Sequence, residues 1–464
     1  MSTFENQFVA VLYKPYLKFN SVIQFHLVFR MGVRLILLAS IVGLTLSATT
    51  QGPESNCPRA DACRSDECFP PECSCSGAEP VLEDREDRPQ IVYLTYDDAF
   101  SAYAEENFYR SLFNGTFKNP DGCDIRATHF LTAQYTDYTL VNKYWKKGHE
   151  MASHSITHRS STDYWKALNV TGWRNEIEGL RKMISQFAAI PKEEITGFRA
   201  PFLQLGGDEM FTALQQDGFK YDCSWASRDY GYLKLDVGLF PYTLDYETVQ
   251  DCPVEPCPTC SYPGLWVQPM LDLEDRWIGA DPTHPNNGMP CSMLDACIIM
   301  DDVPTKDTVK EMLMTNFLRN RNGTRAPMGL YMHAGWFYGE YSWHYEGYKD
   351  FLQEITENYD DVWIVPVNAG LDYFQNHNNL TNTEILALGD DSPFSCSKFS
   401  QPPYSNSRCD ALTPCRYENV TNADIHDQER YMPICGRTST NTPQKCPERY
   451  PWLEDPCGGN SPCL

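Results

Sequence analysis

Positive charge is scarce in this chain: 38 lysines and arginines stand against 62 aspartates and glutamates, a formal net charge of −24. Without a cationic excess to meet a phosphate backbone, nucleic acid is set aside as a partner. Long apolar runs are also missing. The nearest is Met31 to Ala48, MGVRLILLASIVGLTLSA, too short for a stable membrane span. One arginine precedes it and small residues end it, as in a signal peptide, so translation is expected to start at Met31, with residues 1–30 an upstream extension or longer leader. Paired short cysteine spacings are absent as well: C-x2-C occurs at Cys257 to Cys260 with no equally spaced partner, which argues against a zinc ribbon.

Cysteine itself is plentiful. The 19 fall into three groups: Cys57 to Cys75, seven through the middle, and seven from Cys396 to Cys463. That density predicts disulfides and an oxidising compartment, and the odd number leaves at least one thiol outside any intrachain pair. Asn114, Asn169, Asn322, Asn379 and Asn419 each begin an N-x-S/T sequon. The expected location is secreted, in the extracellular matrix.

Residues 1–48 read as leader and 49–89 as a cysteine-rich lead-in without apolar periodicity. From Gln90 strand-like and helix-like stretches alternate. Ile91 to Thr95, Ala127 to Ala133, His149 to His154, Ile195 to Arg199, Lys220 to Ser224, Gly329 to His333 and Val362 to Val367 read as strands. Ala104 to Phe113, Tyr138 to Lys147, Thr171 to Ala189, Asp208 to Gln216, Val309 to Arg319 and Tyr345 to Glu357 read as helices. The alternation predicts an α/β body over residues 90–378, a parallel sheet with crossover helices, open or closed into a barrel. Residues 225–303 break the rhythm and read either as a binding element or as a disulfide-tied cover. Residues 379–464 read as a separate cysteine-stapled region.

In parallel α/β folds the C-terminal strand ends meet at the active site. Here they are Asp97-Asp98, His154, Arg199, Asp222 and His333. His154 and His158 share a face if the backbone between them turns helically, and two imidazoles with one carboxylate leave coordination positions open, as a catalytic metal needs. Asp98 is the natural third ligand. Asp97, pointing elsewhere, is then free to act as base, and Arg199 facing it would keep it ionised. Asp222 could fix the tautomer of His333. Taken singly, an Asp pair is more often a solvated turn and a lone histidine a core residue.

These residues resemble the signatures of the polysaccharide deacetylases, carbohydrate esterase family four, and among them the animal chitin deacetylases. In order they are TYDD at 95–98, HSITH at 154–158, RAPF at 199–202, YDCSW at 221–225 and LYMH at 330–333. CFPPECSC, LFPYTLDY and CPERYPWL extend the resemblance into the flanks. It implies a distorted, incomplete (β/α) barrel with Zn²⁺, or another divalent metal, on Asp98, His154 and His158. It also implies Asp97 as base with Arg199 beside it, His333 as acid partnered by Asp222, and the Phe202 N–H toward an oxyanion. Tyr96 and Phe202 depart from the family's usual phenylalanine and tyrosine. The implied substrate is chitin or another N-acetylated glycan, deacetylated to a cationic polymer that an acidic surface tolerates. Two rivals remain at this level: a non-catalytic chitin-binding matrix protein, and a metal-free glycosidase using two carboxylates.

Overall fold

The computed structural model describes residues 57–82, 84–277, 288–300, 304–339, 342–407, 409 and 411–459. The expected leader, with Met31 to Ala48, lies outside them. Nine strands form the main sheet: β1 Gln90–Asp98, β2 Thr128–Leu131, β3 Glu150–Ser153, β4 Gly197–Phe198, β5 Tyr221–Asp222, β6 Tyr242–Leu244, β7 Tyr262–Val267, β8 Met328–His333 and β9 Val362–Ile364. Their order is β8-β1-β2-β3-β4-β5-β7-β6, with β9 paired to the first three residues of β1. Every pairing is parallel except β6 with β7. Among the described residues no ladder joins β6 to β8, so the barrel is incomplete, as the resemblance implied.

Alternation along β1 sets the two layers. Ile91 and Tyr93 share an inner cluster with Phe130, Tyr221, Trp266, Tyr331 and Trp363, which come from strands far apart in the sheet order; the sheet therefore curls around them. Val92, Leu94 and Tyr96 face outward, clustering with residues of the covering helices α1 Tyr138–Trp145, α2 Val170–Phe187, α4 Lys306–Asn322 and α5 Ser342–Asn358. Trp173, Ile177, Leu180 and Ile184 form the buried stripe of α2, whose first turn is capped by Asn169 Oδ1 accepting from Gly172 N at 2.9 Å. Helix α3, Gly207–Gln216, follows β4, and α6, Val367–Asn376, follows β9.

Two glycines admit the interior tyrosines. A Cβ at Gly197 would lie 2.2 Å from the Tyr221 hydroxyl, and one at Gly329 would lie 1.8 Å from the Tyr331 ring. Aromatic side chains thus fill the space over these two glycines.

Two expectations change. Residues 225–303, read as a binding element or a disulfide-tied cover, also contribute β6 and β7 to the sheet. The cysteine-rich tail does not stand apart. Its hairpin, β10 Leu412–Val420 and β11 Gln428–Cys435, places Cys415, Met432 and Ile434 in the same core cluster as α1 and α2. Cys123–Cys396 ties body to tail covalently, and the described residues from Cys57 to Gly459 form one compact unit. Apolar area on the hairpin that would otherwise face water supplies the physical reason. The lead-in is anchored too, through Cys57–Cys260 and a hydrogen bond from Ser74 N to Thr243 Oγ1 at 3.1 Å.

Candidate metal and acid–base site

Asp97 is the last inward-facing residue of β1, and its carboxylate is buried. Arg199, fully buried just beyond β4, donates from Nη1 to Asp97 Oδ1 at 2.7 Å and to Thr95 Oγ1 at 2.8 Å. Its Nε donates to Cys223 O at 2.7 Å, and its guanidinium lies 4.0 Å from the Phe130 ring centre and 4.8 Å from that of Tyr331. Burial pulls the Arg199 pKa down, but Asp97, Cys223 and Tyr331 together outweigh it and hold the group above its ordinary value. Buried charge is tolerated here because it is paired; removing either partner would strand the other, at a cost of about 3–5 kcal/mol.

Strict alternation would turn Asp98 away from Asp97. Its φ of 79° swings the carboxylate back to the same mouth. Ser155 at φ 78° and His158 at φ 45° lie in the same left-handed region. The histidines therefore converge through a turn of unusual backbone, not through the helical turn expected from their spacing. Such conformations cost of order 1–3 kcal/mol each and persist only where surrounding contacts impose them. Those contacts are present. Glu176 of α2 accepts from Ile156 N at 3.0 Å, Thr157 N at 2.9 Å and Thr157 Oγ1 at 2.6 Å. Beyond the turn Arg159 pairs with Asp424 of the tail hairpin, Nε to Oδ1 at 2.5 Å and Nη2 to Oδ2 at 3.0 Å.

Ligand atoms of Asp98, His154 and His158 all lie within 4.8 Å of one another. His158 Nε2 is 3.5 Å from Asp98 Oδ1, and among the described residues this buried nitrogen has no hydrogen-bond partner. His154 Nδ1 meets Arg199 O at 2.8 Å; since a carbonyl only accepts, Nδ1 carries the proton and Nε2 keeps its lone pair for the cluster. Burial, against the pull of Asp97, lowers His154 to about 4, so it is neutral. Desolvation would raise Asp98, but His158, His333 and His154 outweigh it and lower the group. The neutral His154 imidazole, the Asp98 carboxylate and the orphaned His158 nitrogen form a donor set that fits a divalent cation.

His333, at the end of β8, places Nε2 3.8 Å from Asp98 Oδ2. Its partner differs from the one expected. Tyr221 and Cys223 face the interior, so Asp222 between them faces out; it accepts from Ser224 Oγ at 2.5 Å and Ser224 N at 3.0 Å. Burial raises Asp222 to about 6. The carboxylate on His333 Nδ1 belongs instead to Asp295, at 2.5 Å. Burial would lower His333, but the bond to Asp295, with the charges of Asp295, Asp98 and Asp97, raises it to about 10. Phe202, at φ 58° and 45% exposed, sets its ring 4.8 Å from that of His158 at the rim.

The structure thus gathers Asp97, Asp98, His154, His158, Arg199, Phe202 and His333, and leaves Asp222 outside. Sequence reasoning missed Glu176, Asp295 and Asp424. For Glu176 and Asp424 there is no local signal; for Asp295 the one available was the cysteine pair that brackets it in CSMLDAC.

Eight disulfides are described: Cys57–Cys260, Cys63–Cys75, Cys68–Cys73, Cys123–Cys396, Cys252–Cys257, Cys291–Cys297, Cys409–Cys435 and Cys415–Cys446. Cys223, buried beneath Arg199, is free, and burial pushes its thiol up to about 12. All five sequon asparagines are exposed.

Residues 84–221 match the family described as Polysaccharide deacetylase. Chitin deacetylase 1 of Bombyx mori is 31% identical over 405 residues, 86% of this chain and 69% of that protein. Chitin deacetylase 8 of the same species is 32% identical over 424 residues, 91% of this chain and 99% of that protein.

Proposed function

The chain belongs to the polysaccharide deacetylase family, and from that premise we propose that it is an active, secreted deacetylase that hydrolyses the N-acetyl groups of chitin, or a related N-acetylglucosamine polymer, to acetate and chitosan. The observation that best supports this reading is the division of labour between adjacent aspartates: Asp97 is paired with Arg199, while Asp98 lies against two imidazoles. Asp98, His154 and His158 would hold the cation, which we take to be zinc because two histidines and one carboxylate suit it. When bound there, such an ion supplies Lewis acidity toward an acyl oxygen and lowers the pKa of water.

The chain's own residues perform the proton transfers. Asp97, oriented by its bond from Arg199, accepts a proton from the attacking water as the water's oxygen bonds to the acetyl carbon. His333 donates from Nε2 to the amide nitrogen as the C–N bond breaks, leaving a free amine and acetate. The Phe202 N–H, presented by a left-handed turn at the rim, is assigned to the developing oxyanion. Two cysteine-stapled flanks and eight disulfides favour an oxidising, extracellular setting.

The deciding assay is acetate release from N-acetylglucosamine oligomers. Activity should vanish with a chelator and return with added zinc. Reducing ends formed without acetate would move the reading to a glycosidase, and chitin binding with neither product to a matrix protein.

A further inference from the structure

Resting on that deacetylase reading, we propose that Asp295, carried by a disulfide-closed loop in the insertion, is the positioning residue that aims His333 at the leaving group. The loop spans Cys291 to Cys297 and is fixed at several points. The disulfide closes it, and Cys291 forms a ladder pair with Leu273. Leu294 is fully buried in the outer core, and Cys297 N bonds Leu294 O at 3.1 Å to complete a single turn. Ser292 Oγ donates to Asp272 Oδ1 at 2.6 Å. Asp295 projects from this pinned turn toward the end of β8, where its Oδ2 receives the Nδ1–H of His333 at 2.5 Å.

An imidazole can present either nitrogen by turning about its Cβ–Cγ bond. A carboxylate fixed at Nδ1 removes that choice: Nδ1 must donate to Asp295, and Nε2 is the atom that faces Asp98 and carries the proton to be delivered. Asp222 cannot do this from the outer face of β5. The Asp295 carboxyl is 28% exposed and lies outside the core cluster, so its removal opens no cavity and exposes no apolar surface. The rigidity comes from its neighbours, and the orientation comes from Asp295.

The test compares two leaving groups. An amide nitrogen must be protonated to depart, whereas the nitrophenolate of nitrophenyl acetate leaves unaided. Asp295→Asn should lower kcat on N-acetylglucosamine oligomers by about 10²-fold with KM within about twofold, and the loss on nitrophenyl acetate should be at least about tenfold smaller. Asp295→Glu should recover part of the amide activity. An equal loss on both substrates, or no loss on the amide, would overturn the proposal. A readout independent of turnover keeps the two readings apart: the low-field Nδ1–H proton resonance of His333, identified by its absence in His333→Ala, should be present in the unmodified protein and missing in Asp295→Asn. Its persistence in Asp295→Asn sinks the pairing. If the unmodified protein releases no acetate while that resonance behaves as expected, the deacetylase reading fails and the pairing stands.

Discussion

Two carboxylates are buried inside the same curled sheet, one at each end, and they are held in opposite ways. At the mouth, Asp97 faces the full charge of Arg199. At the far end, Glu150 at the start of β3 accepts only from neutral donors: Thr128 Oγ1 at 2.8 Å, Tyr221 OH at 2.9 Å and Asn368 N at 3.0 Å. Burial dominates there and lifts Glu150 to about 7. Depth is comparable and the partner differs: Asp97 is bonded to a cation, while at Glu150 the hydrogen bonds and the charge of Lys398 do not offset burial, which leaves that acid half-protonated near neutral pH.

The sharpest way to break this comparison is to neutralise each acid in turn. Asp97→Asn should cut acetate release by roughly 10²–10⁴-fold while zinc content is unchanged, whereas Glu150→Gln should stay within about threefold. Equal losses in steady-state assays would erase the distinction.

Next in size is a pH effect that belongs to Glu150. Its folded pKa is raised above the ordinary 4.5, so its contribution to stability is fully present below pH 4.5 and is lost as pH rises through about 7. The difference amounts to about 3 kcal/mol, and Glu150→Gln should remove that part of the pH dependence. Urea unfolding at pH 5 and pH 8 measures it; identical pH slopes in the two proteins would show that some other group is responsible.

A smaller effect tests how the mouth is held. Asp424→Ala releases Arg159, one residue beyond His158, and should weaken zinc binding roughly tenfold in a chelator competition while the fold survives. Unchanged affinity would mean that Glu176 fixes the turn without help from the tail. The smallest effect is expected from Asp222→Asn. Facing away from His333, it should alter turnover by less than about threefold, and a loss as deep as that of Asp97→Asn would restore it to the site.

How much of this was legible depended on whether a signal was local. The ends of β1, β3, β4 and β8 could be read because each apolar strand stops abruptly at a polar residue, and Asp97, His154, Arg199 and His333 stand where that happens. The alternation of strands and helices likewise gave the parallel sheet. β6 and β7 were hidden by prolines and cysteines that mimic loop composition. Asp222 was misplaced because a motif supplies an order along the chain but no face; with Tyr221 and Cys223 inside, the residue between them has to point out. The turn at 155–158 was misread because spacing four suggests a helix, whereas positive φ at Ser155 and His158 reaches the same convergence. Asp295 and Asp424 come from 38 and 265 residues away from the side chains they hold, distances over which no periodicity carries information.

Tyr221 and Tyr331, lying over Gly197 and Gly329, fill the inside of the curled sheet at those two points. Under the proposed activity a long sugar strand has no tunnel to thread and need not offer a free end. Any stretch draped across the mouth can offer an acetamide, so acetyl groups should be lost at scattered interior positions of a fibre instead of progressively from its tip.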